Sequence, residues 1–327
     1  MKTFVTLLLC LLSIGNVAYG DEMLSSWNDA HSKQQIISFV ETVTSEGSKD
    51  FVPVAERIAV FDNDGTLWVE QPVYVQLVFA MERIKEMAAE HPEWKNTQPF
   101  QAVLEEDYDA LADSGSKGIM ELVMVTHSGM NTEEFSQAVE KWINRATDSR
   151  FDQKYPDLVY QPMVELLQYL RSNGFKTYIV SGGGVEFMRT FAEDVYGIPP
   201  EQVIGSSIRT QFELVDGAPQ LKRLPELFHF DDKEGKPIAI QTFIGRRPIL
   251  AFGNSDGDLQ MLQWTAEGKH KSLCGLVHHT DGEREYAYDR ESHVGKLDKA
   301  LEAAKERGWV LVDMKKEWKY VFPFEKE

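Results

Sequence analysis

Ile58-Ala59-Val60-Phe61-Asp62-Asn63-Asp64-Gly65-Thr66-Leu67 is the stretch on which the reading of this chain turns. The run 57–61 is short, apolar and bounded by charge, which predicts a strand buried on both faces, as parallel strands are. It delivers two carboxylates, Asp62 and Asp64, to one strand end just before a glycine turn. Two acids so placed can share one divalent cation and divide nucleophilic from acid–base work. The competing readings are an acidic turn that caps a helix and a calcium loop of the EF-hand kind. The second fails, because Leu67-Trp68-Val69 are apolar where further oxygen donors have to follow.

The same grammar recurs twice downstream. A strand at 176–180 runs into Ser181-Gly182-Gly183-Gly184, and a helix is predicted over 185–195 with Gly197 as its stop. Glycines there let backbone N–H groups approach a phosphate at the positive end of a helix, and the Ser181 hydroxyl adds a donor. The plain alternative is a helix-capping serine in a flexible turn. A strand at 248–252 runs into Gly253-Asn254-Ser255-Asp256-Gly257-Asp258. A tight turn of oxygen side chains suits a hard cation such as Mg2+ better than a thiolate or imidazole site does, against the plain reading of a loop that caps the next helix.

Between these motifs the chain alternates. Helices are predicted at 24–47, with Trp27, Ile36, Ile37, Val40 and Val43 on the buried face, and at 162–172, with a turn at Asn173-Gly174. Strands at 204–214 and 220–224 flank Val215-Asp216-Gly217, a hairpin signal, and 236–243 reads as a short helix. Strand, helix, strand, helix in this order predicts an α/β fold, a doubly wound parallel sheet of Rossmann-like form, with its site at the C-terminal strand ends. The segment 67–157 is strand-poor and helical, with helices at 75–89, 100–113, 117–126 and 133–146, the last capped by Asn131 or Thr132 with Glu134 in its first turn. The expected division is therefore a signal peptide at 1–20, a catalytic core from 21–66 and 158–327, and an inserted helical cap at 67–157.

The signal-peptide reading rests on Lys2, the apolar run 4–14 and the small residues ending in Ala18-Tyr19-Gly20. That run falls short of the ~20 residues that span a bilayer, so no stable membrane span is expected after cleavage. The expectation is an exported, periplasmic protein. Cys10 lies early in the apolar run and lacks the small residue that a lipid-anchoring site carries before its cysteine, and Cys274 alone remains beyond the leader. An intramolecular disulfide is then impossible, leaving stability to burial. The formal net charge of −18 excludes nucleic acid as a partner, since a duplex binder needs a basic stripe. An acidic protein can still hold an anion where a divalent cation and a few basic side chains reverse the potential locally.

With Lys236 added, these elements resemble the four motifs of the haloacid dehalogenase superfamily, most closely its phosphoserine-phosphatase-like branch. The resemblance implies Asp62 as nucleophile and Asp64 as general acid and base, with the Asp62 carboxylate and the Asp64 carbonyl on Mg2+. It implies Ser181, Gly182 and Lys236 around the phosphate, the loop 253–258 completing the metal site through Asn254 and Asp258, and a cap inserted between the first two motifs. One position departs: this loop usually begins Gly-Asp and here begins Gly253-Asn254, which removes a negative charge from the cation. Asp256 is an extra acid, and Asn254, Asp256 and Asp258 stay open as direct ligands. Asp64 itself separates phosphoryl transfer from dehalogenation, because an alkoxide leaving group needs a proton and a halide does not.

The expected activity is Mg2+-dependent hydrolysis of a small phosphorylated metabolite, phosphoserine-like substrates included, through a phosphoaspartate. The alternatives are an exported phosphate- or cation-binding protein of the same fold with weak turnover, motivated by Asn254, and a phosphotransferase. Glu70 and Gln71 follow the first motif where the resembling branch meets its substrate, and are the expected specificity pair; the plain reading is lid-hinge surface. His278-His279 with Asp281 does not make a second metal site, because adjacent strand residues face opposite ways. The tail aromatics Trp309, Trp318, Tyr320, Phe322 and Phe324 read as a packing edge of the core.

Overall fold

The structure, a computed structural model, describes residues 23–326; the predicted signal peptide and Cys10 lie outside them. The strands are β1 (Ile58–Phe61), the two-residue β2 (Thr147–Asp148) and β3 (Gln153–Lys154), β4 (Lys176–Gly184), β5 (Val203–Val215), β6 (Ala218–His229), β7 (Leu250–Gly253), β8 (Leu273–His278) and β9 (Val310–Asp313). Seven of them form one sheet in the order β6-β5-β4-β1-β7-β8-β9, and β2 pairs only with β3. Within the sheet every neighbouring pair is parallel except β5 with β6. β1 lies at the middle, with β4 on one side and β7 on the other. The chain order reverses there, and the carboxyl ends of β1, β4 and β7 therefore bring Asp62, Ser181 and Asn254 to one crevice.

All four residues of β1 are buried, as expected of a strand covered on both faces. Ala59 and Phe61 enter one apolar cluster with Phe252 and Leu166, while Ile58 and Val60 enter the other with Met261 and Leu262. This is the period-two alternation of a strand between two layers. Each of Ile58, Val60 and Phe61 contributes roughly 1.5–3 kcal/mol. Cys274 on β8 is buried, and its Sγ donates to the Leu262 carbonyl at 3.3 Å. The tail aromatics do pack as a core edge: Trp318 is buried against Trp27 and Tyr160, and Phe322 against Tyr160 and Phe324.

Several predicted elements differ in extent. The first helix spans His31–Thr44, shorter than 24–47, because Ala30 is extended (φ −126°, ψ 170°); Trp27 instead pairs with Trp318. The helix predicted over 100–113 is two, Phe100–Glu105 and Tyr108–Asp113, divided where Glu106 turns left-handed at φ 58° and Asp107 caps the second through Ala110 N. The glycines after Ser181 do not form a turn: β4 runs extended through Gly184, with an irregularity where it pairs β5. Gly205 on β5 accommodates this, since a Cβ there would lie 2.6 Å from the Gly183 carbonyl oxygen. The helix predicted over 185–195 is likewise two short pieces, Val185–Met188 and Ala192–Tyr196, the second stopped by Gly197 at φ 67°.

The inserted segment carries helices Val75–Met87, Phe100–Glu105, Tyr108–Asp113, Gly115–His127 and Thr132–Ile143. Asn131 and Glu134 form a reciprocal capping box at the start of the last of these. Leu77, Ala80, Ile84, Trp94, Phe100 and Leu122 build a core of their own, whereas Phe79, Phe135, Val139 and Trp142 join the main cluster with Trp68 and Phe187. Leu67 to Val69 belong to the body: Tyr160 N donates to the Leu67 carbonyl at 2.8 Å and Val69 N to the Leu158 carbonyl at 3.3 Å.

The hairpin of β5 and β6, turned at Asp216 (φ 53°) and Gly217 (φ 83°) as a two-residue turn with both φ positive requires, is longer than predicted and leans on this insert. Arg223 Nε donates to the His127 carbonyl at 2.7 Å with its guanidinium 4.0 Å over the Phe135 ring. Asn131 Nδ2 donates to Gln220 Oε1 at 3.1 Å. Among the described residues no helix is long and apolar enough to cross a membrane.

Candidate active site

Asp62 leaves β1 with its backbone N–H on the Phe252 carbonyl of β7 at 3.0 Å. Its carboxylate is buried, and Oδ1 lies 2.9 Å from Lys236 Nζ. Lys236, on the short helix Gly235–Ala239, is enclosed and also meets Asp258 Oδ1 at 2.6 Å. Burial alone would depress the ammonium, but Asp258 and Asp62 together hold it above its usual range. Burial, reinforced by Asp258 and Asp64 and opposed by Lys236, pushes Asp62 up to about 8 in the cation-free protein. Burial also raises Asp64, although Trp68 Nε1 donates to its Oδ1 at 2.8 Å and works the other way.

The acidic loop after β7 separates into three roles. Asp258 does not offer a free carboxylate: Oδ1 is on Lys236, and Oδ2 accepts from Asn254 N and Ser255 N, each at 3.0 Å, and from Ser255 Oγ at 3.3 Å. Asp258, expected on the cation, here holds Lys236 and the loop amides together. Asp256 Oδ1 accepts from Asp298 N and Ala300 N, each at 2.9 Å, which ties the loop to the helix Lys299–Arg307. Asn254 Oδ1 accepts a 3.1 Å bond from Thr66 Oγ1, and its Nδ2 donates to Glu70 Oε1 at 2.6 Å.

Ser181 is buried in β4, three residues before its end, and its Oγ accepts from Gly183 N at 3.1 Å. Gly184 N donates to Gln76 Oε1 at 2.7 Å. The amides of Gly183 and Gly184 are thus already engaged within the protein. A Cβ on Gly183 would lie 3.4 Å from each of Asp64 Oδ2, Gln76 Oε1 and Ser181 Oγ, so these oxygens converge around it. Gly182 adjoins the Asp231-Asp232 segment, where a Cβ on it would lie 4.0 Å from the Asp231 carbonyl oxygen.

Glu70 and Gln71, the expected specificity pair, both have protein partners in this structure. Glu70 is buried and accepts from Asn254 Nδ2 and from Tyr288 Oη at 2.8 Å. Gln71 Nε2 donates to Ser292 Oγ at 3.0 Å and to the Val294 carbonyl at 2.9 Å. Three contributors were missed. Gln76 reaches from the insert to Gly184 and holds His127 Nε2 at 2.9 Å. Tyr288 braces Glu70. His279, far from forming a second metal site, bridges the Gly65 carbonyl at 2.7 Å and Glu285 Oε2 at 3.1 Å, which fixes the turn after Asp64. Gln76 had a faint signal, a polar residue in an apolar run 75–80; Tyr288 and His279 had none.

Among the described residues no group of three or more His, Cys, Asp or Glu side chains is arranged to hold a metal ion. Mg2+ does not need such a cage, because it keeps several waters and binds through one or two carboxylates. The Asp62 carboxylate, the Asp64 carbonyl and Asn254 Oδ1 form an all-oxygen donor set that fits it, and would hold it.

A mostly parallel, doubly wound sheet with a buried aspartate at its switch point, a lysine on that aspartate and a second acid two residues on defines a Rossmann-like core built around a carboxylate. The chain belongs to the haloacid dehalogenase-like hydrolase family, whose sequence profile matches residues 59–263. A comparison with curated proteins finds no significant match. Among solved structures, a conserved protein of unknown function from Anaerococcus prevotii is 18% identical over 84% of this chain and 88% of its own, with a TM-score of 0.53. A protein of unknown function from Bordetella pertussis is 15% identical over 79% of this chain and 99% of its own, TM-score 0.48. A phosphoserine phosphohydrolase-like protein from Francisella tularensis is 18% identical over 69% of this chain and 89% of its own, TM-score 0.38. The likeness to the Anaerococcus prevotii protein is one of fold.

Proposed function

We propose that this chain is an exported, Mg2+-dependent phosphatase that hydrolyses small phosphomonoesters through a phosphoaspartate on Asp62. The observation that carries the reading is the buried Asp62 carboxylate against Lys236 Nζ at 2.9 Å, with a second acid, Asp64, whose pKa burial raises. Mg2+ bound to Asp62, the Asp64 carbonyl and Asn254 would neutralise charge on the phosphoryl oxygens. An Asp62 oxygen attacks phosphorus and the ester P–O bond breaks, while Lys236 and the Ser181 hydroxyl hold the equatorial oxygens. Asp64 gives its proton to the departing oxygen. In the second half Asp64, now a carboxylate, takes a proton from water as that water attacks phosphorus, and Asp62 is released with inorganic phosphate. The same two carboxyl groups end as they began.

The insert and the β5–β6 hairpin meet each other beside the crevice, through Arg223 on His127 and Phe135. This supports a small leaving group, because an enclosed site excludes water and limits size. Purified protein assayed for phosphate release on phosphoserine, small sugar phosphates, an aryl phosphate and a phosphopeptide, with EDTA and with Mg2+ restored, tests the reading. We expect Mg2+-dependent release from the small esters and little from the peptide. Tight phosphate binding without release would favour a binding protein; full release in a metal-free preparation would remove the cation from the mechanism. Export is tested separately by fractionating cells that express the full chain.

A further inference from the structure

We propose that Glu70 is a positioning residue that makes an asparagine serve at residue 254: it takes Asn254 Nδ2 and so turns Asn254 Oδ1 toward the cation. The proposal rests on the cation-dependent reading above. An amide side chain has nearly the same shape with its oxygen and nitrogen exchanged, and only its hydrogen-bond partners decide which end points where. Glu70 Oε1 decides it, because it accepts from Asn254 Nδ2 at 2.6 Å and from Tyr288 Oη at 2.8 Å. An exchanged amide would set two acceptor oxygens against each other in a buried place, which is costly. With Nδ2 committed, Oδ1 lies on the Thr66 side, against the loop that carries Asp62 and Asp64.

The surroundings are shaped for this contact. Gly65 has φ +71°, and a Cβ on it would come 2.1 Å from Asn254 Nδ2 and 2.3 Å from Glu70 Oε1. Gly295 has φ +65°, and a Cβ there would come 1.9 Å from Glu70 Oε1. Two glycines on distant segments thus clear the space that the glutamate fills. Compared with an aspartate in the cation loop, the acid has moved one contact outward, from residue 254 to residue 70. The two positions are coupled although 184 residues separate them in sequence: an aspartate at 254 would set a second carboxyl group against Glu70 in place of the amide donor.

The test needs no turnover. Mg2+ binding to the full protein is measured by calorimetry, and thermal stability is measured in EDTA. E70A, which removes the acceptor, is expected to weaken Mg2+ binding roughly 10-fold or more, the usual consequence of losing a partner that orients a ligand. E70Q retains an oxygen that accepts from Nδ2, and is expected to stay near wild type. N254D lowers the melting temperature in EDTA, and N254D/E70Q recovers it because the new amide donates to the new carboxylate. Folded E70A that binds Mg2+ as tightly as wild type overturns the proposal alone. So does an N254D penalty that is the same with and without E70Q. Wild-type protein that binds no Mg2+ overturns the cation-dependent reading, and the proposal with it.

Discussion

Asp62→Asn protein folds and loses turnover by about 10^4-fold or more, the scale seen when a covalent nucleophile is removed, while Asp64→Asn loses roughly 10^2- to 10^4-fold, the worth of a general acid and base. An amide has no charged oxygen to attack phosphorus, whereas loss of Asp64 leaves the nucleophile in place and only the leaving group unprotonated. The stability of Asp62→Asn separates lost chemistry from lost folding. In the cation-free protein Asp62 holds its proton up to about 8, against 3.8 for the ordinary side chain. Between those values the folded state binds more protons than the unfolded chain, so the Asp62 contribution falls as pH rises through that window. Asp62→Asn removes this dependence, and its melting temperature in EDTA should fall less than that of wild type between pH 5 and pH 8. Near-normal turnover in a preparation free of deamidated and contaminating enzyme would remove Asp62 from the role of nucleophile.

Lys236→Met is expected to damage the fold as well as the chemistry. The methionine chain fills much of the lysine volume, so the change is chiefly one of charge. Asp62 and Asp258 then share a buried site with no counter-ion, and breaking such a pair costs roughly 3–5 kcal/mol. Urea unfolding at pH 7 should show that loss. Asp258→Asn, which leaves Lys236 its contact with Asp62, should cost less. A Lys236→Met protein as stable as wild type at pH 7 would show that the ammonium does not hold the crevice together.

The local part of this site was legible in the sequence. β1 announces itself by an unbroken apolar run, and a strand end places Asp62 and Asp64 without reference to anything distant. Ser181 could be found because it follows a strand that periodicity predicts, whereas a lone lysine such as Lys236 stands out only beside the other three motifs. What could not be read is set by contacts between segments. Asn254 and Asp258 are equally polar in one loop, and only the arrival of Lys236 assigns Asp258 to the lysine. Glu70 resembles a substrate contact until Tyr288 and Asn254 close on it. The continuation of β4 through Gly184 depends on Gly205 in the neighbouring strand, and no local propensity reports that pairing.

The division of apolar residues within the insert bears on how the crevice admits a substrate. Helix Val75–Met87 gives Val75 and Phe79 to the main cluster and Leu77, Ala80 and Ile84 to the smaller one. It is therefore a shared wall between two packing units, and the insert cannot swing as one rigid door without tearing Phe79, Phe135 and Trp142 from the body. The smaller unit, from Trp94 to Leu122, can loosen alone, since its apolar partners lie within the insert. Native-state hydrogen exchange would then divide the insert into two cooperative blocks: amides of Phe100–Glu105 and Gly115–His127 opening at a lower free energy, and those of Thr132–Ile143 opening only with the sheet.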